Sequence, residues 1–234
     1  MDECQGSTVN DSSGNGNNGT ITIGATGSQT AVGTCTTSGA WYNGATGKYN
    51  SSLNFDGTDD YAELGTTNLD THFDAQKDWS ISTWAYINGW NDQGGIFSNR
   101  YAANEIVRIM TSSTTGRVDF QTRDSGGTLI NQNVTGLSAG AWYHFVLTRK
   151  YGGNIVVYVN GISKDSQPDS RTGDFISAAG SHEYFAGRSI YSGDFVTWKY
   201  FSGQIDDVRI YNYAVSPAQV KQIYNQGGSI QFGP

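Results

Sequence analysis

Two adjacent carboxylates, Asp206 and Asp207, interrupt an otherwise apolar alternation near the end of the chain. Segment 201–213 is typical of a long strand, and its alternation slips by one residue between Ile205 and Val208, as in a β-bulge. Asp is depleted in strands and adjacent like charges repel, so a hard cation such as Ca2+ would explain the pair, because it takes Asp oxygens and backbone carbonyls. Alternatively, one Asp faces solvent and the other caps the bulge. The spacing leaves both interpretations open.

Further candidate oxygen ligands for a cation lie in a Gly- and Asn-rich loop at residues 11–19. Gly and Asn adopt positive φ at little cost, so such a loop can turn its carbonyls inward around a cation, with Asp11 supplying charge. The loop lacks the acidic frame of an EF-hand. A second acidic group, Asp56, Asp59 and Asp60, lies in a predicted hairpin turn. It is either another cation site or, as we favour, a set of turn formers that bond nearby backbone.

Two groups of aromatic and polar residues are typical of sugar-binding sites, where rings stack on sugar C–H faces and polar groups close hydrogen bonds. The first group consists of Trp90, Asn91, Asp92, Arg100 and Tyr101. The second group consists of Arg188, Tyr191, Trp198 and Tyr200. The alternative interpretation is that these rings pack against the bases of their loops.

The residue pattern argues against catalysis. Glycoside hydrolysis needs two carboxylates at a fixed separation, and no candidate strand pairs two of them on one face. No Gly-x-Ser-x-Gly elbow and no phosphate-binding glycine frame occurs. His144 lies inside an aromatic strand and is predicted to be a packed core residue. We therefore predict that the chain is not an enzyme.

The elements that position these residues are mostly strands. Residues 79–87 carry large side chains on both alternating faces, which predicts a central strand covered on both sides. Further strand signals lie at 95–100, 105–111, 117–123, 128–134, 141–149, 154–160, 162–164 and 183–188. Their number and spacing are typical of a two-sheet antiparallel sandwich. After the closing strand, Ser216 as N-cap, Pro217 at the first turn and Gln219 as capping-box partner predict a short helix that ends at Gly227.

Five segments, taken in order, resemble LamG-like jelly-roll domains (laminin G-like), in the concanavalin A-like lectin/glucanase superfamily. They are DSSGNGNNGT at 11–20, SLNFDGTDDYAEL at 52–64, WSISTWAYI at 79–87, AWYHFVLTRKYGGNIVVYVNG at 141–161 and FSGQIDDVRIYNYAVSPAQVKQIYNQ at 201–226. The resemblance implies an all-β, two-sheet antiparallel β-sandwich with one short C-terminal helix. It covers almost all of residues 1–234, which we predict to be a single domain with segment 1–50 packed on it.

The resemblance also implies a structural Ca2+ that joins the N-terminal segment to an Asp of the closing strand. Carried over to this chain, the ligands would be Asp11 and the 14–18 loop, with Asn15 and Asn18, together with Asp206 or Asp207. Glucanases of the superfamily carry a Glu-x-Asp-x-x-Glu pattern. Here the only Glu residues are Glu3, Glu63, Glu105 and Glu183, and no two have that spacing.

Composition restricts the partners and the compartment. The net charge of −7 disfavours nucleic acid and anionic lipid, which need a basic patch. No apolar run is long enough to insert into a membrane. Cys4 and Cys35 lie in the polar N-terminal segment, where free thiols would be a liability, so we predict a Cys4–Cys35 disulfide and an oxidising compartment. The alternative is that the two cysteines are unpaired.

Together these features predict a secreted or cell-surface module that is part of a larger multidomain protein. Its predicted function is non-catalytic binding of carbohydrate or glycoprotein in adhesion, with a structural calcium ion. The alternative is a structural or protein–protein interaction module of a large surface protein without a sugar pocket.

Overall fold

The computed structural model describes residues 1–36, 39–41, 47–64, 69, 72–74, 76–100, 106–175, 183–190 and 197–226, and the side chain of Arg100 is outside that description. These residues form strands and one helix. The strands are β1 (Thr8–Val9), β2 (Gly19–Thr22), β3 (Leu53–Asp56), β4 (Tyr61–Glu63), β5 (Trp79–Ile87), β6 (Gly95–Arg100), β7 (Ile106–Thr111), β8 (Val118–Arg123), β9 (Leu129–Val134), β10 (Ala141–Arg149), β11 (Asn154–Val159), β12 (Ile162–Pro168), β13 (Glu183–Ala186), β14 (Arg188–Ile190), β15 (Trp198–Tyr200) and β16 (Ser202–Tyr211). The helix is α1 (Pro217–Asn225).

The strands form two large antiparallel sheets and one small ribbon. The eight-stranded sheet has the order β1-β2-β4-β13-β6-β7-β8-β9, and the six-stranded sheet has the order β12-β11-β10-β5-β16-β3. Strands β14 and β15 pair only with each other among the described strands. The prediction of an all-β antiparallel sandwich with one short C-terminal helix is confirmed.

The main core lies between the two sheets. Phe97, Ile109 and Phe120 of the eight-stranded sheet and Ile81 and Phe145 of the six-stranded sheet belong to one buried cluster. Because side chains alternate across a strand, every second residue of β7 and β8 faces this core. The intervening residues lie on the opposite side, which we call the outer face of the eight-stranded sheet.

Strand β5 is central in its sheet and covered on both sides, as predicted. One side, which includes Trp79 and Ile81, joins the main core. On the other side the ring of Trp84 stacks on Tyr224 of helix α1, with 5.5 Å between ring centroids. The helix therefore occupies the outer surface of the six-stranded sheet.

Helix α1 begins as the sequence predicts. The hydroxyl of Ser216 accepts a hydrogen bond from the backbone N–H of Gln219, and the side chain of Gln219 accepts one from the N–H of Ser216. Val215 and Val220 lie in one apolar cluster with Val146 of β10, as a hydrophobic staple requires. The predicted stop residue, Gly227, lies outside the described residues.

The N-terminal segment adds strands β1 and β2 to the eight-stranded sheet, and a disulfide bond links two of its residues. Cys4 and Cys35 form the predicted disulfide, with a Cα–Cα distance of 5.0 Å. The indole N–H of Trp41, which is fully buried, donates to the carbonyl of Gly6 at 2.9 Å. The described helix is too short and too polar to cross a membrane.

A buried ion cluster connects the two sheets. Arg149 of β10 and Arg171 both donate to the carboxylate of Asp169, at 2.6 and 2.8 Å. Arg171 also donates to the carbonyl and the hydroxyl of Thr122 in β8, at 2.7 and 2.9 Å. Burial alone would raise the pKa of Asp169, but the two guanidinium groups lower it below its ordinary value.

We expect Asp169→Asn to lower the free energy of unfolding by about 3–5 kcal/mol, because two buried guanidinium groups would lose the carboxylate that they share. Urea unfolding followed by far-UV circular dichroism measures the change. Asp165→Asn is the matched control, since its carboxylate accepts hydrogen bonds from Ser166 and Gln167 of its own strand. A loss no larger than that of the control would contradict the role assigned to the cluster.

His144 predicts a pH dependence of stability. It is fully buried, its Nε2 bonds the hydroxyl of Ser82 at 2.8 Å, and its Nδ1 is buried without a hydrogen-bond partner among the described residues. Burial, assisted by the charges of Arg209 and Lys48, lowers the pKa of His144 to about 4. The unfolded chain therefore binds this proton more readily than the folded chain between pH 6.5 and 4, so stability falls as the pH falls through that window.

Between pH 7 and 4.5 the wild type should lose roughly 2–3 kcal/mol more stability than His144→Gln. Urea unfolding at a series of pH values measures both proteins. Carboxylates titrate in both, so the difference between the two curves isolates His144. Parallel curves would show that the imidazole does not have this depressed pKa.

Candidate functional site

Polar side chains form a row on the outer face of the eight-stranded sheet. In β8, Val118 and Phe120 face the core, so Asp119, Gln121 and Arg123 lie on the outer face. Asn131 and Asn133 of β9 are exposed, and they pair across the strands with Gln121 and Asp119. The amide and carboxylate groups of two neighbouring strands are therefore collected on one surface.

The row is anchored at its β7 side by Arg108, which is only 1% exposed. Its Nε donates to the side-chain oxygen of Gln121 at 2.9 Å, and its Nη1 donates to the carbonyl of Ile190 at 2.6 Å. Burial lowers the pKa of Arg108 to about 10, which leaves the guanidinium charged at neutral pH. Arg108 thus fixes the orientation of Gln121 and attaches strand β14 to the sheet.

A second group on the same face is aromatic. The guanidinium carbon of Arg188 lies 3.2 Å from the ring centroid of Tyr61, 3.8 Å from that of Trp198 and 4.0 Å from that of Phe185. Trp198 is half-buried and meets Phe185 edge-on, with 5.2 Å between centroids. Burial lowers the pKa of Arg188, and its Nε has no hydrogen-bond partner among the described residues. The cation holds the three rings together.

The ribbon of β14 and β15 joins the two groups. Ser98 of β6 donates to the carbonyl of Arg188 at 2.7 Å, and Ile190, two residues later, accepts from Arg108. Ile190 pairs with Trp198 across the ribbon. We call the combined surface the outer platform. It consists of Tyr61, Phe185, Arg188 and Trp198 with Arg108, Asp119, Gln121, Asn131 and Asn133.

The sequence-predicted ligand residues divide between this platform and other places. Arg188 and Trp198 belong to it. Trp90 packs against the main core, which is the alternative that the sequence left open. Asp92 is exposed and lies 3.8 Å from the ammonium group of Lys199. Tyr101, Tyr191 and the side chain of Arg100 lie outside the described residues.

The predicted cation ligands are only partly brought together. Asp11, Asn15 and Asp207 line one cavity of about 670 Å3, and Asn18 and Asp206 do not contribute to its lining. Asn18 instead accepts a hydrogen bond from the backbone of Asp11 at 2.8 Å.

The charges in this cavity are partly compensated. The two oxygens of Asp11 accept the backbone N–H groups of Ser13 and Asn17, and although burial opposes it, these bonds lower the pKa of Asp11. Oδ1 of Asp207 accepts from Arg209 at 2.7 Å, but Oδ2 is buried without a hydrogen-bond partner among the described residues, and burial raises the pKa of this carboxyl. The donor set therefore leaves one carboxylate oxygen free, and a Ca2+ ion at this cavity stays a prediction.

Asp206 lies away from the lining of this cavity because the predicted β-bulge is present. Pairing with β5 shifts register between Asp206 and Arg209, and Asp207 has a φ of 51°. Asp206 is 2% exposed and accepts from the backbone of Tyr49 at 2.9 Å. Burial raises its pKa to about 7, and the charges of Asp207 and Asp2 contribute.

One group of three carboxylates does converge within the described residues. Asp56, Asp59 and Asp60 each offer an oxygen, and these oxygens lie within 4.8 Å of one another. The sequence left open whether these residues hold a cation or only form a turn. The convergence of the three carboxylates is compatible with a cation site and with a turn.

Comparison with known proteins identifies the class. The family model of the concanavalin A-like lectin/glucanases superfamily, Laminin_G_3, matches residues 56–221, which is more than half of the chain. The chain belongs to this family, as its motifs predicted. No curated protein matches the sequence.

Solved structures share the fold at low identity. Domain 4 of AbnA, a GH43 extracellular arabinanase from Geobacillus stearothermophilus, in complex with arabinotriose, is similar with a TM-score of 0.64 and 21% identity, over 92% of this chain and 91% of that one. The botulinum neurotoxin serotype G binding domain is similar with a TM-score of 0.60 and 14% identity, over 94% and 48%. The binding domain of Paraclostridial Mosquitocidal Protein 1 is similar with a TM-score of 0.60 and 17% identity, over 78% and 45%. The chain spans about half of the two toxin domains.

Sequence reasoning missed the polar row. The signal was the period-2 alternation of 118–123 and 129–134, which assigns polar residues to one side of each strand. The two strands had to be placed side by side, on the face opposite the core, before those residues formed a surface.

We expect Arg108→Met to lower the free energy of unfolding by roughly 2–3 kcal/mol, because Gln121 and the carbonyl of Ile190 lose a charged donor. Arg117→Met is the control, since Arg117, just before strand β8, forms a partly exposed ion pair with Asp119, and its loss should cost under about 1 kcal/mol. Urea unfolding measures both variants. Equal losses would contradict the anchoring role of Arg108.

Proposed function

We propose that this chain is a non-catalytic carbohydrate-binding module, and that the outer platform is its binding surface. The observation that carries the proposal is the combination of a half-buried Trp198, fixed by Arg188, with a row of exposed amides from Asn131 and Asn133 on one sheet face. Helix α1 packs on the other sheet and leaves this face unobstructed by the helix.

The chemistry of the platform favours neutral sugars. The indole of Trp198 offers an apolar surface for sugar C–H groups, and the amides of Asn131 and Asn133 offer both donors and acceptors for hydroxyl groups. Gln121, whose oxygen accepts from Arg108, offers its amide N–H groups as donors. Asp119 is paired with Arg117 at 2.6 Å, so it presents little net charge. Few precisely placed polar groups beside an aromatic surface are the ordinary composition of a small-molecule site.

The similarity to domain 4 of AbnA supports the choice of first ligand. That domain is in complex with arabinotriose and matches over nearly its whole length, so pentose and hexose oligosaccharides of neutral polysaccharides are the class to test. The same neighbour belongs to an extracellular enzyme, and the chain has a disulfide; both support the proposal of a secreted or surface location. Attachment to a larger protein and a role in adhesion belong to the same proposal.

The test is binding to a panel of neutral polysaccharides, beginning with arabinan and arabinotriose, by affinity electrophoresis and isothermal titration calorimetry. Trp198→Ala should weaken binding at least 10-fold, because the stacking surface is lost. The double variant with Asn131→Ala and Asn133→Ala should weaken it several-fold without changing the melting temperature, because both side chains are exposed.

Tyr213→Ala is the matched control, since it removes an exposed ring from the strand end that lies near the helix rather than from the platform. It should bind as the wild type does. Unchanged binding by the platform variants would contradict the assignment of the surface. A folded protein that binds no glycan in the panel would favour a structural or protein–protein interaction module, and release of reducing ends from any polysaccharide would contradict the non-catalytic part.

A further inference from the structure

The acidic turn between β3 and β4 holds three carboxylates in a small volume. Asp56 ends β3, and Asp59 and Asp60 precede β4. Asp60 is only 1% exposed, while Asp56 and Asp59 are half-buried. One oxygen from each lies within 4.8 Å of the other two. Three like charges at this separation repel strongly when water is excluded.

Segment 24–29 wraps around this turn and satisfies some of the oxygens. Gly24 donates its N–H to Oδ1 of Asp60 at 3.0 Å, and Thr26 donates its N–H to Oδ2 of Asp59 at 3.0 Å. Ser28 donates its N–H to Oδ2 of Asp56 at 2.7 Å. These bonds agree with the turn-forming role that the sequence favours.

Two oxygens remain without a partner. Oδ1 of Asp59 and Oδ2 of Asp60 are buried and accept no hydrogen bond within the described part of the chain. No Lys or Arg among the described residues forms an ion pair with Asp56, Asp59 or Asp60. A buried carboxylate oxygen without a partner is costly, and its retention requires an explanation.

The wrapping segment is shaped to allow the carboxylates close approach. A Cβ atom on Gly24 would lie 1.8 Å from Cγ of Asp59, and one on Gly27 would lie 2.0 Å from Oδ2 of Asp56. Gly27 also has a φ of 82°, which disfavours other residues. The two glycines let the backbone surround the acidic groups.

Either a proton or a cation can offset the repulsion. A proton neutralises only one of the three charges. A divalent cation neutralises two, and hard cations prefer carboxylate oxygens, with Ca2+ tolerating the irregular geometry that Mg2+ does not.

We propose that Asp56, Asp59 and Asp60 form a Ca2+ site, which holds segment 24–29 against the β3–β4 turn and uses the free oxygens of Asp59 and Asp60 as ligands. The site is separate from the cavity of Asp11 and Asp207 and from the ligand set that the family resemblance implies. Its test needs no sugar, so its outcome is independent of the proposed function.

The experiment compares chelator-treated wild type, Asp60→Asn and Asp206→Asn by thermal unfolding and by calorimetric titration with CaCl2. One Ca2+ should bind per wild-type chain. At 100-fold over its dissociation constant it should add about 2.7 kcal/mol of stability, or roughly 5–10 °C in melting temperature. Mg2+ at the same concentration should give a smaller shift.

The two variants separate a cation site from a merely structural turn. Asp60→Asn keeps the shape of the side chain but removes one charge and one ligand, so it should be as stable as the wild type without Ca2+ and lose the response to Ca2+. Asp206→Asn removes another buried carboxyl and should keep the full response.

Several results would overturn the proposal. They are the absence of Ca2+ binding by the wild type up to millimolar concentration, a response that Asp60→Asn retains, and a response that Asp206→Asn alone abolishes. The last would place the cation at the closing strand. If Asp60→Asn does not fold, Asp59→Asn provides the same comparison, because it removes the other free oxygen.

Discussion

The buried contact between Arg149, Asp169 and Arg171 is the constraint on which the sandwich depends. Taking a charged group out of water costs several kcal/mol, so each buried charge must be matched by a partner of excellent geometry. Asp169 receives one guanidinium from the six-stranded sheet and a second that reaches Thr122 of the eight-stranded sheet. Phe175 lies against both guanidinium groups, at 4.6 and 4.7 Å. The cluster thereby links the sheets through polar bonds as well as through the apolar core.

The outer surfaces of the two sheets are covered by different elements. The outer surface of the six-stranded sheet is covered in part by helix α1, which stacks Tyr224 on Trp84. Among the described residues, the eight-stranded sheet is covered locally by the β14–β15 ribbon that Arg108 and Ser98 attach. A polar row and an aromatic cluster therefore adjoin on one face, as the proposed binding function requires.

Local features of the fold could be predicted from sequence because each depends on neighbouring residues. The capping box at Ser216, the bulge at Asp206–Asp207 and the two-sided strand 79–87 all follow from short patterns and are present. The Cys4–Cys35 disulfide was predictable because the chain has only two cysteines. Arg188 and Trp198 were grouped from the sequence and are in contact, but the polar row of the outer platform was not predicted, because Arg108, Gln121 and Asn131 come together only after their strands are placed side by side.

The buried carboxylates differ in how their charge is offset, and this difference locates where an added cation would act. Asp169 has two guanidinium groups, Asp11 has backbone N–H groups, and Asp207 has Arg209 at one oxygen while its Oδ2 lacks a hydrogen-bond partner within the described part of the chain. Asp60 has backbone N–H groups and two acidic neighbours. Since the stabilisation from a cation grows with the uncompensated charge that it meets, the acidic turn would gain more from Ca2+ than the cavity beside the closing strand. A cation there would also fix Asp60 next to Tyr61, whose ring lies on Arg188, and so would stiffen the aromatic end of the outer platform.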